Sequence, residues 1–92
     1  GCEALERTMI ELGQIIVHAD AERALRQCNQ TADEFLDRFH RGDWGDVDSE
    51  THGFNQAALQ EGSDVLGAYE MCSGDVLWII GDGKKTDVLL PI

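Results

Sequence analysis

Residues 65–90 read VLGAYEMCSGDVLWIIGDGKKTDVLL, and this stretch decides the fold. Three runs in it, Val65–Met71, Asp75–Ile80 and Thr86–Leu90, are apolar, contain β-branched or aromatic residues and predict strands. The second and third runs are joined through Asp82-Gly83, a strong hairpin signal. The middle run is apolar on both alternations, which is typical of a central strand with neighbours on each side. The stretch therefore predicts a three-stranded antiparallel β-meander.

Upstream of the meander, apolar residues recur at helical spacing behind recognisable start signals. Asp20 is a candidate N-cap for a helix over residues 21–28, and Thr31-Ala32-Asp33-Glu34 fits a capping box. Asp48 or Ser49 can cap a third helix that ends at Gly62. The apolar stripes of these helices are Ala21, Ala24, Leu25 and Cys28; Ala32, Phe35, Leu36 and Phe39; and Phe54, Ala58 and Leu59.

These elements define the predicted fold class. We expect an α+β fold, with N-terminal helices packed on a C-terminal three-stranded antiparallel β-meander that buries Trp78. Gln14 to His18 reads as extended, because it contains three β-branched residues in a row. Residues 1–92 are expected to form a single small acidic domain, in which 1–11 are a short helix or a loosely ordered leader.

Charge excludes one class of function and indicates another. The 92 residues contain 18 Asp and Glu against 7 Lys and Arg, for a net charge of -11, so direct binding to nucleic acid is not expected. With 42% hydrophobic residues, the chain is also unlike a disordered one. Between Gly42 and Gly83 there are nine acidic residues and no Lys or Arg. This stretch must rely on water, on the arginines of the first half or on a partner for neutralisation.

The candidate site lies in the loop after the second helix and in the third helix. Trp44 stands there between two Gly-Asp pairs, where it either pins the loop to the core or forms an exposed anchor at an interface. We predict that partner binding involves Asp43, Trp44, Asp46, Asp48, Glu50, Glu61 and Asp64.

Catalytic and metal-binding patterns are weak. Asp46, Asp48 and Glu50 resemble the start of a calcium-binding loop, but Thr51 and Ala57 stand where that loop needs Gly and Glu. The sequence therefore predicts no metal, no cofactor and no enzymatic activity. A small metal-dependent enzyme centred on His40, Asp46 and His52 is a further hypothesis, which requires a bound metal.

Cysteine usage and hydropathy bear on location. Cys2, Cys28 and Cys72 are odd in number and widely spaced, which favours ordinary thiols over a disulfide framework or a zinc site. No apolar run is long enough to span a membrane, and the first residues lack the basic start of a signal peptide. We expect a cytoplasmic protein that does not bind membranes.

A pattern of residues from Gly42 onward carries a resemblance to other proteins. It consists of Gly42-Asp43-Trp44-Gly45-Asp46-Val47-Asp48, Asn55, Ala58-Leu59, Gly62, Val65-Leu66, Ala68-Tyr69, Trp78-Ile79-Ile80, Thr86 and Val88-Leu89-Leu90-Pro91. With this pattern the chain, from about Leu12 to its C-terminus, resembles small, largely uncharacterised proteins carried by bacterial plasmids, phages and integrated elements, which implies a bacterial host cell. Relatives usually have a Thr-Pro-Gly turn before the first helix, where this chain has His18-Ala19-Asp20.

The resemblance implies an expected function, although the family offers no activity to assign to particular residues. Small acidic mobile-element proteins are similar in size and charge to anti-CRISPR proteins. We therefore expect an anti-CRISPR-type inhibitor that acts as an acidic DNA mimic on the DNA-binding surface of a CRISPR-Cas effector complex. The alternative is a non-catalytic plasmid or phage accessory module that binds a toxin or a regulatory protein.

Overall fold

The computed structural model describes residues 12–90, so the prediction for residues 1–11 lies outside the described residues. The described part contains three helices and four strands. In chain order they are β1 (Gln14–Val17), α1 (Ala19–Gln27), α2 (Ala32–His40), α3 (Ser49–Glu61), β2 (Val65–Glu70), β3 (Val76–Gly81) and β4 (Lys85–Leu89).

The four strands form one mixed sheet in the order β1-β4-β3-β2. β2 pairs antiparallel with β3, and β3 with β4, as predicted. The expected three-stranded antiparallel meander is nevertheless wrong, because β1 adds a fourth strand parallel to β4, with Ile15 opposite Thr86. Parallel pairing of this kind needs a long crossover, which the three helices and the two other strands provide. The fold is still α+β, but a strand precedes the helices.

The core lies between one face of the sheet and the helices. Strand residues alternate between the two faces, and in β2, β3 and β4 those that face the core are buried, whereas no residue of the edge strand β1 is fully buried. The buried apolar side chains of α1 and α2 are the ones that the helical spacing predicted. Together, the main core residues are Ala21, Ala24, Leu25, Phe35, Leu36, Phe39, Val65, Tyr69, Leu77, Ile79 and Val88.

Trp78 lies on the other face of the sheet. Its neighbours Leu77 and Ile79 point into the core, so Trp78 points away from it and is only partly buried. It does not belong to the core cluster. The prediction that Trp78 is a core residue is wrong, because a strand that is apolar on both alternations does not show which face the helices cover.

The helix boundaries test the predicted caps. Asp48 caps α3, because its carboxylate accepts a hydrogen bond from the Thr51 N–H at 2.8 Å, and Gly62 ends this helix in the left-handed conformation at φ 73°. Both predictions are confirmed. Thr31 is the N-cap residue of α2, as predicted, but the capping box is not formed, because Thr31 makes no side-chain cap hydrogen bond. Asp20 lies inside α1, which begins at Ala19.

A disulfide joins Cys28, at the end of α1, to Cys72, in the turn between β2 and β3. The Cα atoms are 5.7 Å apart, which is within the ordinary range for a disulfide. The prediction of two ordinary thiols is wrong. Spacing along the chain carried no signal, because the fold brings together two residues separated by 44 positions.

Candidate functional site

The loop that precedes α3 lies along the outer edge of β2. The Ala68 N–H donates to the Trp44 carbonyl at 2.9 Å, and the Asp46 N–H donates to the Ala68 carbonyl at 2.7 Å. Gly45 lies between these bonds at φ 71°, and a Cβ there would collide with the Ala68 carbonyl. The backbone that carries Asp46 is therefore held on the sheet.

Asp43 is neutralised within the chain. Its carboxylate accepts hydrogen bonds from Arg38 Nε at 2.8 Å and from the Gly45 N–H at 3.0 Å. The Arg38 hydrogen bond holds the pKa of Asp43 below its ordinary value. The Tyr69 hydroxyl donates to the Asp43 carbonyl at 2.6 Å, and the Arg38 guanidinium lies 4.8 Å from the centre of the Tyr69 ring. Asp43 therefore anchors the loop and adds little unpaired charge.

The buried side chain of Trp44 attaches the same loop to the core. Its side chain is only 7% exposed, and its ring meets the His52 ring edge to face with 4.9 Å between centroids. Among the described residues, nothing accepts a hydrogen bond from its buried indole N–H. Of the two predicted roles, this geometry fits pinning of the loop to the core. An exposed anchor would need a freely accessible ring.

Asn55 seats α3 on the same edge of β2. The side chain is 2% exposed. Its Nδ2 donates to the Leu66 carbonyl at 2.7 Å, and its Oδ1 accepts from the Leu66 N–H at 3.0 Å. The amide thus takes the place of a neighbouring strand next to Leu66, two residues before the contacts that Ala68 makes with the loop. Loop and helix are both anchored to β2.

Burial of Asn55 turns Phe54 outward. Phe54 was predicted in the buried stripe of α3, and that prediction is wrong, because its side chain is 67% exposed. At 100° per residue, Glu50, Phe54 and Glu61 lie on one side of the helix, and all three are exposed. The rise of the helix places Glu50 and Glu61 about 16 Å apart with Phe54 between them.

Five of the predicted site residues form what we call the acidic surface: Asp46, Asp48, Glu50, Glu61 and Asp64. All are exposed. The loop and α3 bring three of them to the start of the helix and two to its end. Thr51 lowers the pKa of Asp48 below its ordinary value by hydrogen bonding to the charged form.

Among the described residues, no ion pair involves a carboxylate of the acidic surface. Within residues 12–90, the four ion pairs are His18–Asp87, Arg26–Glu22, Arg38–Asp43 and Arg41–Asp37. Arg26, Arg38 and Arg41 form ion pairs with acids outside the acidic surface, and the charge of Asp46 acts on Arg38 without forming an ion pair. Glu50 and Glu61, two of these carboxylates, lie on the same side of α3 as the exposed ring of Phe54.

The chain matches nothing in three comparisons. No family model, no curated protein and no solved structure corresponds to it. The resemblance to mobile-element proteins therefore stays a prediction.

Residues 12–90 contain neither a candidate metal site nor a candidate membrane-spanning helix. No group of three or more His, Cys, Asp or Glu side chains in this range could hold a metal ion, so His40, Asp46 and His52 form no such group. None of the helices in the same range has the length and apolar character that crossing a membrane requires.

The sequence predicts the charge of the site but not the roles of Asn55 and Phe54. Asn55 enters only as part of the resemblance, and helical spacing places Phe54 in the buried stripe. The neighbouring residues Phe54 and Asn55 are compatible with two rotations of the helix, one that buries the aromatic ring and one that buries the amide. Helical spacing alone favoured the rotation that buries the aromatic ring.

Proposed function

We propose that this protein is a non-catalytic inhibitor that places its acidic surface on the nucleic-acid-binding surface of a partner protein. One observation supports the proposal above others: among the described residues, five exposed carboxylates form no ion pair, and two of them, Glu50 and Glu61, lie on the same side of α3 as the exposed ring of Phe54. A partner that supplies Arg and Lys side chains would neutralise this surface with charge-assisted hydrogen bonds.

The dimensions of the acidic surface suit the imitation of DNA. Glu50 and Glu61 are about 16 Å apart along α3, which is about the axial length of five base pairs. Phe54, between them, offers a face on which an arginine of the partner can stack. Such an aromatic residue within a charged rim is typical of an interface hot spot.

The partner we propose is a CRISPR-Cas effector complex in the cytoplasm of a bacterial host. This choice rests on the resemblance to small acidic mobile-element proteins, whereas the binding mode rests on the geometry of the acidic surface. Cytoplasmic thiols are normally kept reduced. In that compartment the protein would therefore act with Cys28 and Cys72 unpaired.

The test is displacement of a labelled target duplex from guide-loaded effector complexes. The wild-type protein is expected to displace the duplex from at least one complex, and failure with every complex would overturn the choice of partner. Glu50→Lys combined with Glu61→Lys should weaken displacement at least tenfold. The matched control, Asp20→Lys with Asp33→Lys, makes the same change in net charge on exposed positions of α1 and α2, and it should change displacement less than threefold.

Two further outcomes bear on the binding mode. Equal losses in the two double variants would show that total charge matters and the acidic surface does not. Phe54→Ala should weaken displacement about tenfold, as expected for an aromatic hot spot worth more than 1 kcal/mol. Binding to a toxin or regulator through an apolar interface would instead be nearly insensitive to salt, so a salt titration separates the two functions.

A further inference from the structure

The two edges of the sheet differ in how they are covered. At β2, Asn55 pairs with the Leu66 backbone, and the loop pairs with Ala68. At β1, the opposite edge, no described residue outside the sheet bonds to the backbone of Ile15 or Val17. Within residues 12–90, β1 is therefore the open edge of the sheet.

The hydrogen bonds to β4 show which backbone groups of β1 point outward. The Gln14 N–H donates to the Lys84 carbonyl at 3.1 Å, and the His18 N–H donates to the Val88 carbonyl at 2.8 Å. Alternation along a parallel strand directs the groups of every second residue to the same neighbour. The N–H and C=O groups of the residues between them, Ile15 and Val17, consequently face away from the sheet.

Nothing in the sequence of β1 protects this edge. Natural edge strands are usually shielded by charged side chains, proline or a bulge. β1 reads Gln-Ile-Ile-Val and has neither charge nor proline. Ile15 and Ile16 are 44% and 38% exposed, and they are two of the four large hydrophobic residues exposed in the described part of the chain.

We propose that β1 pairs antiparallel with β1 of a second copy of this chain, about a two-fold axis through Ile16. Ile15 of each copy then lies opposite Val17 of the other, and each of these two pairs exchanges two backbone hydrogen bonds. The two Ile16 side chains meet directly, as a close non-hydrogen-bonded pair. A strand that pairs with this edge should be uncharged and apolar. β1 of a second copy is uncharged, and three of its four residues are apolar.

Charge distribution permits this association despite a net charge of -11 on each copy. The acidic surface is anchored to β2, three strand spacings from β1, or about 14 Å across the sheet. That separation exceeds the Debye length of about 8 Å at physiological ionic strength. Beside β1, Lys85 lies opposite Gln14 and Asp87 lies opposite Ile16. Asp87 pairs with His18, and Asp37 in the neighbouring groove pairs with Arg41, so among the described residues the acids near β1 have partners within the chain, with the exception of Asp33.

A groove lies beside β1 at the same edge of the sheet. This groove of about 610 Å³ between β1 and α2 is lined by the apolar residues Leu12, Ile15 and Leu36 and by the acids Asp33 and Asp37. A second β1 strand would lie next to this groove and add side-chain contacts to the backbone bonds. The paired strands are only four residues long, so we expect a weak dimer with a small interface.

The test is sedimentation equilibrium of the purified protein over a wide concentration range. The wild type should shift from monomer to dimer as concentration rises. Ile16→Lys places two like charges opposite each other and should weaken the dimer at least tenfold. Val76→Lys is the matched control, because Val76 is also 38% exposed, and it should leave the dimer unchanged. Ile15→Pro removes an outward N–H and should also weaken the dimer.

Several results would overturn this proposal. One is a wild-type protein that stays monomeric at every concentration. Protection of the Ile15 and Val17 amides from hydrogen exchange in that monomer would show that another segment covers β1, and this result would also overturn the proposal. Equal effects of Ile16→Lys and Val76→Lys, with both variants folded by circular dichroism, would also contradict it. Added salt should strengthen the dimer and weaken binding through the acidic surface, so the two proposals can fail separately.

Discussion

Replacing Asn55 by alanine tests how α3 is attached to the sheet. The side chain makes two hydrogen bonds to the backbone of Leu66, at 2.7 and 3.0 Å, and is 2% exposed. Truncation leaves a partly buried N–H and a partly buried C=O without partners, and each unsatisfied group costs about 1–2 kcal/mol. The expected loss is therefore about 2–4 kcal/mol in the free energy of unfolding. In a domain of this size it lowers Tm by roughly 10–25 °C.

The assay is urea denaturation followed by circular dichroism, with Gln56→Ala as the control. Gln56 is exposed on the same helix, so its truncation should change stability by less than about 0.5 kcal/mol. Asn55→Asp keeps an acceptor for the Leu66 N–H but sets a carboxylate against the Leu66 carbonyl, so it should also destabilise the protein. An Asn55→Ala variant as stable as Gln56→Ala would refute the view that this amide seats the helix.

Three further predictions concern the anchoring of the fold and the loop. Reducing the disulfide, which spans a sequence separation of 44 residues, should cost about 4 kcal/mol by the loop-entropy estimate and lower Tm by roughly 15–30 °C; calorimetry with and without dithiothreitol checks this. Because the folded-state pKa of Asp43 is lowered, its stabilisation is present above the ordinary pKa and is lost as pH falls. Acidification from about pH 4 to pH 2 should therefore destabilise the wild type more than Asp43→Asn in melting curves. Gly45→Ala should cost about 2 kcal/mol, since its Cβ meets the Ala68 carbonyl, whereas Gly53→Ala meets no atom within 4 Å and should be neutral or stabilising.

Much of the fold could be predicted, because its signals are local. The strands β2 to β4, the hairpin at Asp82-Gly83 and the buried faces of α1 and α2 follow from residue spacing and turn chemistry. The parallel pairing of β1 with β4 could not be predicted, since no local signal links residues about 70 positions apart. The disulfide was missed for the same reason. Its two cysteines become neighbours only when α1 packs beside the β2–β3 turn.

The candidate site, like the fold, could be predicted where its signals are local and could not be predicted where it depends on tertiary contacts. The absence of Lys and Arg from Gly42 to Gly83 is visible in the sequence, and five of the seven predicted residues are exposed and form no ion pair within residues 12–90. The roles of Asp43 and Trp44 depend on tertiary contacts, namely Arg38 on one and His52 on the other. The rotation of α3 depends on bonds between Asn55 and a strand that comes later in the chain. These contacts determine which side chains a partner can reach.

The salt dependence of binding to a guide-loaded effector complex tests the proposed function most directly. The measurement is the affinity of the wild type and of Glu50→Gln combined with Glu61→Gln, at about 50 and about 200 mM salt. Electrostatic contacts of this kind weaken steeply with ionic strength. We predict that the wild type loses at least tenfold in affinity over this range and that the double variant loses distinctly less. Equal affinities at the two salt concentrations, or the same slope for both proteins, would contradict a partner held by the acidic surface.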